Sequence, residues 1–340
     1  MSAHSIDDEK NKAKRAANRL DEFQQRHPTL GFPVAVWRKF GEDQAGNLAA
    51  LIAYWAFFSI FPLLLVAVTV IGFVGIGSGT FHDVIKQLPL VGDVQGLSGS
   101  YTALVFGVAS ALWSGLAVVK ATQTAFDSVW EVPMAERPSF LHKVVSGLKA
   151  LGVLGCGFVI TLGLTGIATG GSSLKITLPL VLRLVLGLVA IALDVLLLAL
   201  AYRWLTKREL TFRDVLPGAV AAGVIFFVLE LAASALITHA ATGQKGATGT
   251  VSTVLGMLWW FALEATVILY GAEINVVRVE GLWPRGVVDA PDTQADHRAY
   301  EAYVEEKVYR PNQSVDTTFH DEVSDSERPA DTGSWRRRKD

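Results

Sequence analysis

Cysteine is almost absent from this chain of 340 residues, and so is charge from its long central stretch. The single Cys156 excludes an intrachain disulfide and a thiolate metal site, which leaves a small side chain suited to packing. Residues 1–30 are polar and lack the apolar core of a secretory signal, so targeting is expected to rest on the first membrane helix. No Gly-rich loop ending in Gly-Lys-Ser/Thr is there to cradle phosphates, no two histidines stand at metal-ligand spacing, and no serine occupies a nucleophile elbow. His82, His142 and His239 are isolated. Those absences argue against ATP-driven pumping, zinc hydrolysis and serine-dependent acyl transfer. The chain is expected not to be an enzyme: no catalytic residue, no metal site and no cofactor.

What is there is apolar. Hydrophobic residues make up 51% of the chain and charged residues 18%, a balance that points to lipid rather than to a soluble core. The net charge of -2 says little about partners, because most charges lie before Gly46 or after Val279. A spanning helix needs roughly 20 mostly apolar residues. Six stretches qualify: Asn47–Ile76, Tyr101–Trp130, Val144–Gly170, Leu178–Leu205, Val215–His239 and Val251–Val277. The expected fold is all-α, a polytopic membrane protein with six transmembrane helices.

Orientation follows from lysine and arginine, which collect in short cytoplasmic loops. Lys10, Lys12, Lys14, Arg15, Arg19, Arg26, Arg38 and Lys39 precede the first span, Arg137 and Lys143 lie in the second connector, and Lys207, Arg208 and Arg213 in the fourth. The first, third and fifth connectors carry only Lys86, Lys175 and Lys245. Both termini are therefore expected in the cytoplasm. Three regions result: residues 1–46, a basic amphipathic cytoplasmic segment with a surface helix over Lys10–Phe23; residues 47–287, the membrane domain; and residues 288–340, a polar tail too poor in apolar residues to bury a core and so expected to be disordered. Phe81, Val84, Ile85 and Leu88 fall at helical spacing in the longest outer connector, which predicts a short amphipathic helix there.

Polar residues inside the spans need a reason, since a charge at the centre of a membrane helix costs about 2.5–3.5 kcal/mol on the lenient insertion scale. Lys120, Gln123, Thr124 and Asp127 share one face of the second span. Asp194 is deep in the fourth span, Glu230 in the fifth and Glu264 in the sixth, whereas Arg183 can reach the outer interface. These residues, Arg183 excepted, are candidates for the lining of a solute or proton path, with structural pairing as the alternative. Glu273 lies near the cytoplasmic end of the sixth span, on the face opposite Glu264, where Arg278 or Lys143 is the expected partner. Pro62 interrupts the first span and frees the Phe58 carbonyl, with Tyr54 and Ser59 nearby, which marks a hinge or a static kink.

The run Leu48-Ala49-Ala50-Leu51-Ile52-Ala53-Tyr54-Trp55-Ala56-Phe57-Phe58-Ser59-Ile60-Phe61-Pro62 resembles the signature of the YihY/BrkB family of bacterial inner-membrane proteins, an Ala-Tyr pair followed by Ser-x-x-Pro. Further matches are Ala125-Phe126-Asp127-Ser128-Val129-Trp130 with Arg137-Pro138, then Leu216-Pro217-Gly218-Ala219, and Tyr270-Gly271-Ala272-Glu273-Ile274-Asn275. In place of the Tyr-Gly segment that members often carry before the last span, this chain has Ala247-Thr248-Gly249-Thr250-Val251. The resemblance implies six helices and an envelope role, with export or lipid-related transport, and it accounts for an older family label, ribonuclease BN. Nuclease chemistry would need a metal-binding cluster outside the lipid, and the sequence offers none. The leading expectation is a secondary or facilitative transporter of an amphipathic or lipid-like solute; a membrane scaffold acting through protein partners is the alternative. Expected partners are membrane lipids, such a solute and a second copy of the chain, and not nucleic acid.

Overall fold

A computed structural model describes residues 28–74, 100–137, 140–170, 179–240, 247–286 and 293–319. Eight helices occupy these residues: α1 Pro28–Glu42, α2 Ala45–Val74, α3 Tyr101–Val129, α4 Phe140–Gly170, α5 Leu180–Leu205, α6 Phe212–Ala240, α7 Ala247–Glu280 and α8 Gln294–Glu306. Helices α2 to α7 are each long and apolar enough to cross a membrane, and the described residues contain no strand. The six expected spans are thus the six observed ones. Several run beyond the expected limits, α4 starting at Phe140 and α7 ending at Glu280, because backbone hydrogen bonding carries a helix past the lipid boundary that apolar runs report.

The six form a closed ring. Each packs on its sequence neighbours, α2 on α3 through to α6 on α7, and α7 returns to lie along α2. An up-and-down ring of six places both flanking helices, α1 and α8, at one end, here termed the basal end. Large apolar side chains such as Val105, Phe106, Trp113, Leu188 and Trp259 stand exposed on the outside of the helices, as lipid requires. The tightest core lies instead toward the basal end, where Trp130, Phe126, Tyr202, Leu269, Val276 and Val277 are fully buried. There Phe40 of α1 stacks on Tyr270 of α7 with ring centroids 4.0 Å apart. Cys156, expected to pack, is exposed on α4.

Helix α8 corrects the expectation of a disordered tail after residue 288. Thr293 caps it, accepting from the Asp296 N–H while Asp296 reaches back to the Thr293 N–H, and Ala295, Asp296, Ala299 and Glu306 are buried. Composition argued against order because the segment is polar; its charges, however, find fixed partners on the basal end. The expected helices over Lys10–Phe23 and around Phe81–Leu88 fall outside the described residues, as do most of residues 1–46.

Candidate functional site

Three of the deep carboxylates come together. Asp194 of α5 and Glu230 of α6 are only 3% and 6% exposed, and Glu264 of α7 is half-buried. Glu230 stands close enough to both of the others for direct charge–charge interaction. Helix α4 adds hydroxyls one turn apart: Thr161 lies against Asp194, and Thr165 donates to Glu230 Oε2 at 2.7 Å. Trp260, one turn before Glu264 on α7, donates its indole N–H to Glu264 Oε1 at 2.6 Å. Asp194 Oδ2 and Glu230 Oε1 are buried without a hydrogen-bond partner. Buried carboxylate oxygens without a donor can accept a proton or a positively charged group.

The stripe on the second span does not join them as a unit. Lys120 is exposed, Thr124 is half-buried, and Gln123 is buried with its Oε1 unpartnered. Asp127 is buried at the basal end, where it accepts the Lys207 N–H at 3.0 Å and so fastens the connector after α5 to the end of α3. Arg183 is exposed. Helix α2 continues through Pro62; Ser59 donates to the Ala56 carbonyl at 2.7 Å, and Tyr54 is exposed with its ring 4.9 Å from that of Phe58.

The resembling motif positions hold the bundle together. Gly218, just after Pro217 on α6, donates its N–H to Asn275 Oδ1 of α7 at 2.7 Å, and a Cβ there would collide with the Gly271 carbonyl oxygen and the Asn275 amide. A Cβ on Gly271 would in turn strike the Tyr202 hydroxyl, which donates to the Ile268 carbonyl at 2.7 Å. Two glycines facing each other let α6 and α7 approach backbone to backbone. Arg137 donates to Glu306 Oε1 of α8 at 2.7 Å and to the Val132 carbonyl at 3.2 Å, while Pro138 lies outside the described residues.

Glu273 does not pair with Arg278, one of its two expected partners. Arg278 donates to the Arg213 carbonyl, and the side chain of Lys143 lies outside the described residues. Instead Glu273 is fully buried 3.7 Å from Lys39 Nζ of α1. Lys39 is itself fully buried, 2.6 Å from Asp43 and 2.5 Å from Glu131, and donates to the Val129 carbonyl at 3.0 Å. Burial alone would lower the Lys39 ammonium, but Glu273, Glu131 and Asp43 outweigh it and hold the ammonium well above its ordinary range. Burial raises Glu131 to about 7 although Lys39 pulls the other way. Glu131 also sits at φ 43, a left-handed conformation that non-glycine residues seldom adopt.

A second network surrounds the first. Arg285 reaches Glu42 at 2.6 Å and Asp296 at 3.0 Å; Arg38 reaches Asp296 at 3.1 Å, Tyr300 at 2.7 Å and the Gly286 carbonyl. Tyr303 of α8 donates to Glu42 at 2.9 Å and lies with its ring 5.4 Å from Lys39 Nζ. Burial would raise Asp296, but donors from Gly286 and Thr293 outweigh it and hold the carboxyl at about 2. Sequence reading missed Lys39, Asp43, Glu131 and Tyr303 as a group. The available signal was the acidic residues directly beside the membrane, which the lysine–arginine rule disregards.

The description virulence factor BrkB is the family match, over residues 36–294. An uncharacterized protein of Dickeya dadantii is 25% identical, with 72% of this chain and 82% of that protein covered. A UPF0761 membrane protein of Xanthomonas oryzae pv. oryzae is 22% identical over 75% of this chain and 62% of its own length, so this chain spans about three-fifths of that relative. The ribonuclease-like protein YfkH of Bacillus subtilis is 23% identical, covering 73% of this chain and 95% of the relative. No solved structure matches this chain. Among the described residues no group of three or more His, Cys, Asp or Glu is arranged to hold a metal ion.

Proposed function

Because this chain belongs to the virulence factor BrkB family of multi-pass bacterial membrane proteins, we propose that it is a secondary or facilitative transporter of an amphipathic or lipid-like solute, serving the envelope. One observation carries the reading: Asp194, Glu230 and Glu264 converge from three helices of one ring, and Asp194 Oδ2 and Glu230 Oε1 are buried there without a hydrogen-bond donor. A purely structural carboxylate at that depth is costly unless fully hydrogen-bonded, and Asp194 and Glu230 each keep one oxygen without a donor. Gln123 of α3 likewise has a buried side-chain oxygen without a partner. The distribution of lysine and arginine supports a cytoplasmic basal end. Pro62 leaves the Phe58 carbonyl without its helical partner and offers α2 a place to flex.

A second reading, a scaffold that acts through protein partners, is favoured by a different observation. Gly218, Gly271, Glu273, Asn275 and Arg137 are all used in packing or ion pairing rather than in a lining. Comparing envelope lipids and exported metabolites in cells with and without the gene, complemented by Glu230→Gln, separates the two. Under the transport reading the variant accumulates folded in the membrane and fails to restore movement of the solute. Full restoration by the variant sinks that reading, and loss of folded protein in step with loss of function favours the scaffold.

A further inference from the structure

At the basal end carboxylates outnumber cations. Asp43, Glu131 and Glu273 surround Lys39, while Arg38 and Arg285 are engaged by Glu42 and Asp296, so five acidic groups face three basic ones. From α7, Glu280 also faces Glu131 but is paired with Arg208 at 2.6 Å. On α8, Tyr303 overlies the cluster and Glu306 is held by Arg137 and Ser128. The excess charge has a specific location. Glu273 is fully buried, and neither of its oxygens receives a hydrogen bond from any protein donor. Its carboxyl nevertheless lies beside that of Asp43, for both converge on Lys39 Nζ, at 3.7 Å and 2.6 Å. Two ionised carboxylates repel at such a distance, whereas a carboxyl and a carboxylate sharing one proton attract.

We propose that Asp43 and Glu273 form a buried proton-binding site, and that the proton held between them keeps α8 seated on the basal end. Without it, the cluster gains a buried negative charge beside Glu131 and directly under Tyr303. The cheapest relief is water, and water reaches the cluster when α8 lifts. Glu131, raised by burial toward about 7, adds to the same response. Its left-handed backbone at φ 43 keeps its carboxylate against Lys39 despite the strain.

The sign follows from proton counts. The seated state binds more protons than the lifted one, so raising pH favours lifting, by up to about tenfold in the ratio per pH unit for each proton. The test uses the full chain in lipid nanodiscs, with Cys156→Ala and spin labels at exposed Glu209 and Glu301. Distances between the labels are measured from pH 5 to 8.5. A single distance at low pH that broadens above neutrality is expected, together with a protonated-carboxyl band in the infrared spectrum that disappears over the same range. Glu273→Gln, which keeps a donor toward Asp43 without charge, should leave only the smaller response of Glu131 and weaken the band; Asp43→Asn serves if that variant does not fold. An unchanged distance in the parent protein across this range, or the same pH response in a folded Gln or Asn variant, overturns the proposal.

Discussion

Lys39 Nζ lies 2.5 Å from Glu131 Oε1, and both side chains are closed off from solvent although one belongs to α1 and the other follows α3. The pair ties a helix that precedes the first span to the connector after the second. Removing the ammonium leaves its carboxylates buried without a partner. Lys39→Met is therefore expected to destabilise the protein by about 3–5 kcal/mol. Thermal unfolding of the purified protein should show a clearly lowered Tm, and a Tm equal to that of the parent would contradict the arrangement.

The approach of α6 to α7 predicts a second outcome. Gly218→Ala forces a methyl group against the Gly271 carbonyl and the Asn275 amide, which are backbone and a hydrogen-bonded side chain rather than a flexible tip. Overpacking of this kind costs at least about 1–3 kcal/mol. Little folded monodisperse protein should be recovered in size-exclusion profiles. Gly152→Ala, where nothing lies within 4 Å, is the matched control and should behave as the parent.

At the acid end α8 depends on Asp296. Its carboxyl is held at about 2 in the seated helix against an ordinary value of 3.8, so its contribution is complete above about 4 and is lost as pH falls toward 2. Glu131 works in the opposite direction, its contribution falling as pH rises from about 4.5 to about 7. Hydrogen exchange of the α8 amides, corrected for the intrinsic pH dependence, should pass through a minimum between these limits. Asp296→Asn should abolish the acid limb and leave the other.

Arg137 and Glu306 meet at 2.7 Å across a long sequence separation, with Ser128 donating to the same carboxylate oxygen at 2.9 Å. A double-mutant cycle with Arg137→Ala and Glu306→Ala should give a coupling of about 0.5–3 kcal/mol in unfolding free energy. Additive effects would show that the end of α8 is held by its backbone bonds alone, from Met134 to Glu306 and from Ala135 to Val308.

Truncation before Val288, an obvious way to separate transport from scaffolding, does not discriminate. It removes Asp296, Tyr303 and Glu306 along with the tail, and so uncovers the basal cluster. Truncation after residue 319 is the cleaner experiment. A transporter should keep its activity, and a scaffold working through the distal tail should lose it.

Some of this was legible in the residues. The six spans were, because each uniformly apolar run of the right length has a single stable solution in lipid, a hydrogen-bonded helix. Asp194, Glu230 and Glu264 stood out for the same reason, as charges where charges are costly. Their convergence on one another was not legible, since helical periodicity fixes the face a residue occupies and not the neighbour which that face meets. Lys120 and Asp127 illustrate the gap. They share a face of α3, yet the structure leaves Lys120 exposed and uses Asp127 to hold a connector.

The sequence by itself determined membrane residence, the number of spans and an even count that returns both flanks to one end, all of which follow from apolar length and charge placement along a single chain. Only the tertiary structure decided that Lys39 belongs to Glu131, Asp43 and Glu273, and that a polar segment after residue 288 folds as α8 on top of them. The physical reason is that hydrophobic burial is written locally in composition. An ion pair is a property of two distant residues, and it has no signature until the ring of helices brings them together.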